Sequence, residues 1–218
     1  MGGLTPTVSQ TTEGVARLSV PYDDVVRMVR VFAATIAENK AYLTELDSAI
    51  GDADHGINMD RGFQAVLAKV DALPPGDVGT LFKTVGMTLV STVGGAGGPL
   101  YGTLFLQLGT ATAGKTEITA EDWAAALAAA VQGVQARGKA ELQDKTMIDA
   151  LVPARDAFAA AIGEGASFAD ALRRSAAAGE DGHGRARSRS WPAKDGRATW
   201  VSGAPDIKIP APRRRSCC

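Results

Sequence analysis

Residues 46–63 read LDSAIGDADHGINMDRGF and bring three carboxylates close together in the chain, at Asp47, Asp52 and Asp54. Gly51 and Gly56 permit a tight turn here, so Asp52 and Asp54 can point the same way while Asp47 reaches in from the end of a preceding helix. Convergent carboxylates repel one another unless a hard divalent cation neutralises them, and Mg²⁺ prefers carboxylate and phosphate oxygens. The stretch predicts a magnesium site, with a solvated acidic turn as the alternative.

Helical patterns lie on both sides of this stretch. Apolar residues recur at helical spacing, and polar residues of the capping type precede several of the runs. These signals cover Tyr22–Lys40, the segment after the candidate N-cap Asp77, the segment from the capping-box pair Thr119 and Asp122 to Gly138, residues 151–162 and residues 167–179. Alternating strand patterns are scarce, and Thr103–Leu108 is one apolar run that fits a helix or a strand. The chain is therefore predicted to be all-α, a bundle with short loops.

A glycine-rich segment, GGAGGP at residues 94–99, precedes the apolar run Leu100–Leu108. Successive glycines let backbone N–H groups point into one concavity, and a helix that starts near Pro99 would add the positive end of its dipole. The segment predicts a phosphate cradle, with a flexible loop between helices as the alternative.

Two further segments carry weaker signals. Residues 109–116, GTATAGKT, match the letters of a P-loop, but a P-loop follows a β-strand and its helix begins at the Lys-Thr pair. The helix signal comes later here, at Thr119, which favours a loop between helices. In residues 144–153, DKTMIDALVP, Met147 can pack against a flat ring or into a core, and alone the segment favours a structural role.

Composition limits the class of protein. The 218 residues carry a net charge of −1, contain no apolar run long enough for a membrane span, and end in two adjacent Cys that cannot form a disulfide framework. Residues 1–14 lack the apolar core of a signal peptide, so we expect a soluble cytoplasmic protein. The charge is uneven: residues 1–178 hold 14 basic and 20 acidic side chains, whereas residues 179–218 hold 9 basic and 4 acidic ones.

Three segments together resemble the ADP-binding L subunit of bacterial dihydroxyacetone kinase and the nucleotide domain of the single-chain ATP-dependent kinases. They are LDSAIGDADHGINMDRGF, STVGGAGGPLYGTLF and DKTMIDALVPA, which occur in the family's order within residues 20–178. The resemblance implies a closed barrel of about eight antiparallel helices that holds a nucleotide at one end. It places the ligands of paired Mg²⁺ ions at Asp47, Asp52 and Asp54, and the nucleotide contacts at His55, Asn58, Met59, Gly95, Ala96, Gly97, Gly98 and Met147. Many members have Ser where Gly97 stands, so one hydroxyl contact is absent here.

The resemblance also implies a function. In the phosphotransferase-system form, bound ADP takes a phosphoryl group from a phosphohistidine carrier, the M subunit, and passes it to dihydroxyacetone on a separate K subunit. This implies phosphoryl transfer with Mg²⁺ and ADP or ATP, and no catalytic base on this chain. Two alternatives stay open, an ATP-dependent kinase with exchangeable nucleotide and a non-enzymatic nucleotide-binding regulator that signals through a transcription factor. Neither nucleic acid nor a membrane is an expected partner.

The final segment departs from the family, whose closing motif is similar to VPLLARKGRASYLGERSAGHQDPGATSS. The codons of residues 187–215 can encode this motif if they are read in a shifted frame, in which the third base of each codon is joined to the first two bases of the next. The codons of Trp191 and Pro192, for example, then contain a codon for Ala. We therefore expect a frameshift between about Gly179 and Gly184, with a genuine disordered basic tail that binds an acidic partner as the alternative. The expected organisation is a flexible segment at 1–20, a nucleotide-binding helical domain at 21–180, and a frameshifted, disordered tail at 181–218.

Overall fold

The computed structural model describes residues 19–48 and 51–188, with side chains as far as residue 185. Within these residues the chain forms eight α-helices and two short strands. Their order is β1 (Ser19–Pro21), α1 (Tyr22–Glu38), α2 (Lys40–Ser48), α3 (His55–Asp71), α4 (Val78–Thr92), α5 (Gly97–Ala111), β2 (Glu117–Thr119), α6 (Ala120–Gly138), α7 (Ile148–Gly163) and α8 (Phe168–Ser188). The predicted all-α class and helix number are confirmed. Most of the expected N-terminal segment, and residues 189–218 of the expected tail, lie outside the described residues.

Local capping explains where two of the helices begin. The Asp77 side chain accepts hydrogen bonds from the backbone N–H groups of Gly79, at 3.1 Å, and Thr80, at 2.7 Å, so α4 begins at the predicted N-cap. Thr119 and Asp122 form the predicted capping box at the start of α6, each accepting from the other's backbone N–H. These side chains satisfy N–H groups that a helix leaves without internal partners.

The core lies between helices that follow one another along the chain. Each of α3 to α7 packs against the next helix, so consecutive helices run as neighbours joined by short connections. Aromatic rings link the helices: the Phe32 and Phe63 centroids are 4.9 Å apart, and those of Phe82 and Trp123 are 6.3 Å apart. No helix among the described residues is both long enough and apolar enough to cross a lipid bilayer.

The two strands are not indicated by the sequence pattern. β1 pairs with β2 in antiparallel register, with Ser19 opposite Thr119 and Pro21 opposite Glu117. Each strand has three residues, which is too short to show the alternation that identifies a strand in sequence. The ambiguous run Thr103–Leu108 lies inside α5 and is helical.

The segment with P-loop letters is the end of α5 and the turn before β2, as its context favoured. The Lys115 carbonyl accepts a hydrogen bond from the Val78 backbone N–H at 2.7 Å, and its ammonium forms an ion pair with Asp122 at 3.0 Å. These contacts tie the start of α4 to the start of α6 and give Lys115 a structural role.

The predicted end of the last helix at Gly179 is wrong, because α8 continues to Ser188. Glycine is a common signal for the end of a helix, but in α8 it has a packing role. A Cβ atom at Gly182 would lie only 2.2 Å from the Asp149 carbonyl oxygen of α7, so only glycine lets the two helices approach this closely. The first residues of the segment assigned to the tail are thus helical.

Candidate metal and phosphate site

The three carboxylates of the opening stretch meet in space. Asp47 lies in the last turn of α2, Asp54 stands before the first residue of α3, and Asp52 lies in the loop between them. One ligand oxygen from each of Asp47, Asp52 and Asp54 can be chosen so that all three lie within 4.8 Å of one another. Ala53, between the last two carboxylates, adopts a left-handed conformation with φ of 60°, which bends the chain at this point. The predicted convergence of the carboxylates is therefore present in the fold.

The two carboxylate oxygens of Asp47 differ in how they are bound in this loop. The side chain is buried, and its Oδ2 accepts hydrogen bonds from the backbone N–H groups of Asp54, at 2.9 Å, and His55, at 3.1 Å. Its Oδ1 is buried and has no hydrogen-bond partner. A Cβ atom at Gly51 would lie 2.0 Å from that oxygen, so a glycine is required for the close approach. A buried carboxylate oxygen without a partner is costly, and a cation bound to the cluster would satisfy it. The residues present therefore fit a divalent metal.

Electrostatics in the cluster agree with its geometry. A backbone hydrogen bond lowers the pKa of Asp52, but a hydrogen bond with Asp54 and the charges of Asp54 and Asp47 outweigh it, so the pKa lies above its ordinary value. Burial lowers the pKa of His55, and the nearby charges of Asp47 and Asp54 raise it by less, so the pKa falls below its ordinary value.

The glycine loop lies directly beside the carboxylate loop. α5 begins at Gly97, and a Cβ atom there would lie 3.5 Å from Cε1 of His55, the first residue of α3. A Cβ atom at Gly94 would lie 3.2 Å from the side-chain nitrogen of Asn58. The starts of α3 and α5 therefore face the same region, and backbone N–H groups at helix starts bind anions. The loop that leads into α5 turns at Gly95, where φ is 61°. This end of the domain can hold a cation and a phosphate side by side.

Met147 lies just before α7. Its half-buried side chain packs with Leu100 of α5 against the cluster formed by Val131, Val134, Ile148 and Val152. The buried carboxylate of Asp149 accepts hydrogen bonds from the backbone N–H groups of Gln143, at 2.6 Å, and Thr146, at 3.0 Å. Asp149 thereby shapes the loop that carries Met147. A cavity of about 330 Å³ opens beside this loop, between α7 and α8.

The predicted nucleotide residues differ in how they are exposed. Gly95 and Ala96 are exposed, whereas Gly97, Gly98 and Asn58 are buried. Met59 is completely buried with Phe63 in the main core. Sequence reasoning assigned no role to Arg61, which contacts Asn58, or to Asp149. Arg61 stands three residues after Asn58 on a helix, a spacing that could have indicated the contact.

Carboxylates, a glycine loop and helix N-termini lie together in a helical domain, an arrangement that can accommodate a metal ion and a phosphate. The chain matches the DAK2 domain family over residues 49–209 and belongs to that family. It is 50% identical over 112 residues to the ADP-binding subunit DhaL of the PEP-dependent dihydroxyacetone kinase of Escherichia coli, covering 51% of this chain and 53% of that subunit. It is 44% identical over 136 residues to the ADP-binding subunit DhaL of PEP-dependent dihydroxyacetone kinase 1 of Listeria innocua, covering 62% and 68%. The chain thus spans about half to two thirds of these relatives.

The fold is also similar to that of solved proteins. The dihydroxyacetone kinase of C. freundii, in its native form, superposes with a TM-score of 0.59 at 24% identity, covering 83% of this chain and 32% of that one. The same enzyme in complex with AMP-PNP and Mg²⁺ gives a TM-score of 0.55 at 24% identity, covering 85% and 36%. These likenesses show that the two proteins share the helical fold.

Proposed function

We propose that this chain binds ADP or ATP together with Mg²⁺ at the end of the domain that carries Asp47, Asp52 and Asp54. The observation that carries this proposal is the buried, unpartnered Oδ1 of Asp47 within a cluster of three carboxylates. A cation offsets the repulsion within such a cluster. The DhaL relatives are ADP-binding subunits, which supports the nucleotide as the second component.

Each part of the site then has a distinct role. The three aspartates would hold Mg²⁺, and the backbone N–H groups of the glycine loop, Gly95 to Gly98, would bind phosphate oxygens. Mg²⁺ held by these aspartates would supply positive charge that offsets the negative charge developing during phosphoryl transfer. The His55 ring, which lies near Gly97, would close one side of the phosphate position. Met147 would contact the flat adenine ring from its loop before α7.

We propose further that the chain is the nucleotide-binding subunit of a dihydroxyacetone kinase. Bound ADP would receive a phosphoryl group from a phosphohistidine carrier and pass it to dihydroxyacetone on a K subunit. The E. coli and Listeria relatives are subunits of PEP-dependent kinases, which supports this form over one that uses ATP as the donor. Because dihydroxyacetone would bind to the K subunit, this chain would contribute the bound nucleotide and the metal, and would orient the phosphoryl group for transfer.

An ATP-dependent kinase with exchangeable nucleotide is the second candidate. It is favoured by the likeness of the fold to part of the C. freundii kinase, which was solved with AMP-PNP and Mg²⁺. The two candidates differ in whether the nucleotide leaves the site during turnover.

A reconstituted assay separates them. The chain is mixed with a K subunit and dihydroxyacetone, and formation of dihydroxyacetone phosphate is followed with either a phosphorylated carrier or ATP as the donor. Mass analysis of the purified chain before and after removal of Mg²⁺ shows whether ADP is held by the metal. Asp52→Ala is the matched variant, since the Asp52 side chain is exposed and its loss leaves the core intact.

With the phosphorylated carrier as the donor, we expect dihydroxyacetone phosphate to form when much less ADP than dihydroxyacetone is present. Asp52→Ala should lose both the bound ADP and this turnover. Turnover only with excess ATP would assign the second candidate. Nucleotide binding without turnover under either donor, together with binding to a transcription factor, would assign a regulatory role. A chain that binds neither Mg²⁺ nor nucleotide would refute the proposal.

A further inference from the structure

Arg61 connects two elements that border the candidate phosphate position. It lies on α3, one turn after Asn58, and its Nη2 donates a hydrogen bond to Asn58 Oδ1 at 2.8 Å. The same nitrogen lies 3.2 Å from the carbonyl oxygen of Thr92 and donates to it as well. Thr92 is the last residue of α4, shortly before the glycine loop. One guanidinium group therefore holds a side-chain amide and the backbone at the entry to the loop.

The contact fixes which way the Asn58 amide faces. A guanidinium group can only donate hydrogen bonds, so the amide oxygen must be the atom that faces Arg61. The amide nitrogen is then directed to the other side, and it is the Asn58 atom nearest to Gly94: a Cβ atom there would lie 3.2 Å from Nδ2 but 3.8 Å from Oδ1. Asn58 is 7% exposed, so its amide has little room to turn. The Asn58 amide therefore directs its N–H donors toward the glycine loop.

This orientation matters because a phosphate oxygen of ADP bound with Mg²⁺ accepts hydrogen bonds and donates none at neutral pH. An amide turned the other way would present its oxygen to the phosphate and repel it. We propose that Arg61 is a positioning residue, which orients the Asn58 amide as a donor toward the phosphate. The inference rests on the proposed nucleotide site and adds a residue to it.

The experiment measures binding by isothermal titration calorimetry with two probes, ADP with Mg²⁺ and adenosine, which lacks the phosphates. Arg61→Ala, Asn58→Ala and the double variant are compared with the wild-type chain, and a melting curve of each reports on folding. Arg27→Ala is the matched control, because Arg27 is an exposed helical arginine whose partner is Asp24 of α1 and not a residue of the site.

We expect Arg61→Ala to weaken binding of ADP with Mg²⁺ by about tenfold, the effect of one misaligned hydrogen-bond donor, and to leave adenosine binding unchanged. The double variant should bind no more weakly than Asn58→Ala alone, because Arg61 acts through that amide. Arg27→Ala should bind like the wild type.

Other outcomes would overturn the inference. Losses that add in the double variant would mean that Arg61 acts independently of Asn58, and an equal loss for adenosine would mean general damage to the fold. Arg61→Lys keeps the positive charge but not the forked geometry of the guanidinium group. If this variant binds ADP with Mg²⁺ as tightly as the wild type, Arg61 acts by simple charge attraction to the phosphate and not by orienting Asn58. If the wild-type chain binds adenosine but not ADP with Mg²⁺, the inference and the proposed function both fail. If it binds both and Arg61→Ala is unaffected, only the inference fails.

Discussion

Replacing Asp47 separates its two roles in the loop between α2 and α3. One oxygen accepts from the backbone N–H groups of Asp54 and His55, and the other is buried without a partner. Asp47→Asn keeps an oxygen for the first role but removes a negative charge from the second. Asp47→Ala removes both. The two variants should therefore differ in stability while sharing a defect in metal binding.

The magnitudes follow from the contacts. Hydrogen bonds to a charged group contribute about 1.5–3 kcal/mol each, so loss of two in Asp47→Ala should lower stability by about 3–6 kcal/mol. For a chain of this length 1 kcal/mol corresponds to roughly 2–4 °C in Tm, which gives a fall of roughly 6–24 °C. In Asp47→Asn the lost charge on these bonds is offset by weaker repulsion from Asp52 and Asp54, and we expect a Tm close to that of the wild type without metal.

The assay is a thermal melt at increasing Mg²⁺, with and without ADP. At about 100 times the dissociation constant, a ligand that binds only the folded state adds about 2.7 kcal/mol, so the wild-type Tm should rise by roughly 5–10 °C. Neither Asp47 variant should respond in this range. A wild-type shift retained in Asp47→Asn would refute the assignment of Oδ1 as a metal ligand, and equal stability of the two variants would refute the role of the two hydrogen bonds.

Three further variants test the surrounding structure. Burial raises the pKa of Asp77, but hydrogen bonds from Thr80 and Gly79 outweigh it and hold the pKa below its ordinary value. The charge therefore stabilises the fold above about pH 4, and this contribution is lost as the pH falls through the lowered pKa. Wild type and Asp77→Asn should differ by less than about 1 kcal/mol in urea unfolding at pH 7, and the difference should disappear once the pH is below the lowered pKa. Asp149→Ala removes the buried carboxylate that accepts from two partly buried backbone N–H groups, and it should lower stability by about 2–5 kcal/mol in the same assay. A neutral effect would contradict the loop's dependence on Asp149. Lys115→Ala removes a half-exposed ion pair and should cost less than about 1 kcal/mol with no change in ADP affinity; a large loss of affinity would restore the P-loop interpretation.

Local signals in the sequence predicted most of the helices. The capping box of Thr119 and Asp122 and the N-cap Asp77 act within one helical turn, so their letters alone indicate where α6 and α4 begin. Glycines in α8 show the opposite case. Gly179 resembles a helix stop, but α8 continues past it to Ser188. At Gly182 a Cβ atom would lie 2.2 Å from the Asp149 carbonyl oxygen of α7, and this contact between helices leaves no local signal.

The candidate site could be predicted from the sequence only in part, as the helices could. Spacing and charge indicated that Asp47, Asp52 and Asp54 converge, since the glycines beside them permit a turn and all three lie within eight residues of one another. The sequence could not show that one Asp47 oxygen accepts hydrogen bonds from the backbone and that the other has no hydrogen-bond partner. It also could not show how the Asn58 amide is oriented, because that depends on Arg61 and on the end of α4, 31 residues further along the chain from Arg61.

The charge at this end of the domain predicts how many Mg²⁺ ions would bind with ADP. Three carboxylates and the diphosphate of ADP together carry roughly six negative charges at neutral pH. One Mg²⁺ would leave roughly four of them, and two would leave roughly two. The starts of α3 and α5 each contribute about half a positive charge, so a complex with two ions comes closer to neutrality than a complex with one. We therefore expect calorimetric titration of the ADP-loaded chain to give about two Mg²⁺ per chain. In Asp52→Asn, which removes one negative charge, the second ion should bind more weakly than the first. A stoichiometry of one in the wild-type chain would mean that side chains outside this cluster balance the diphosphate.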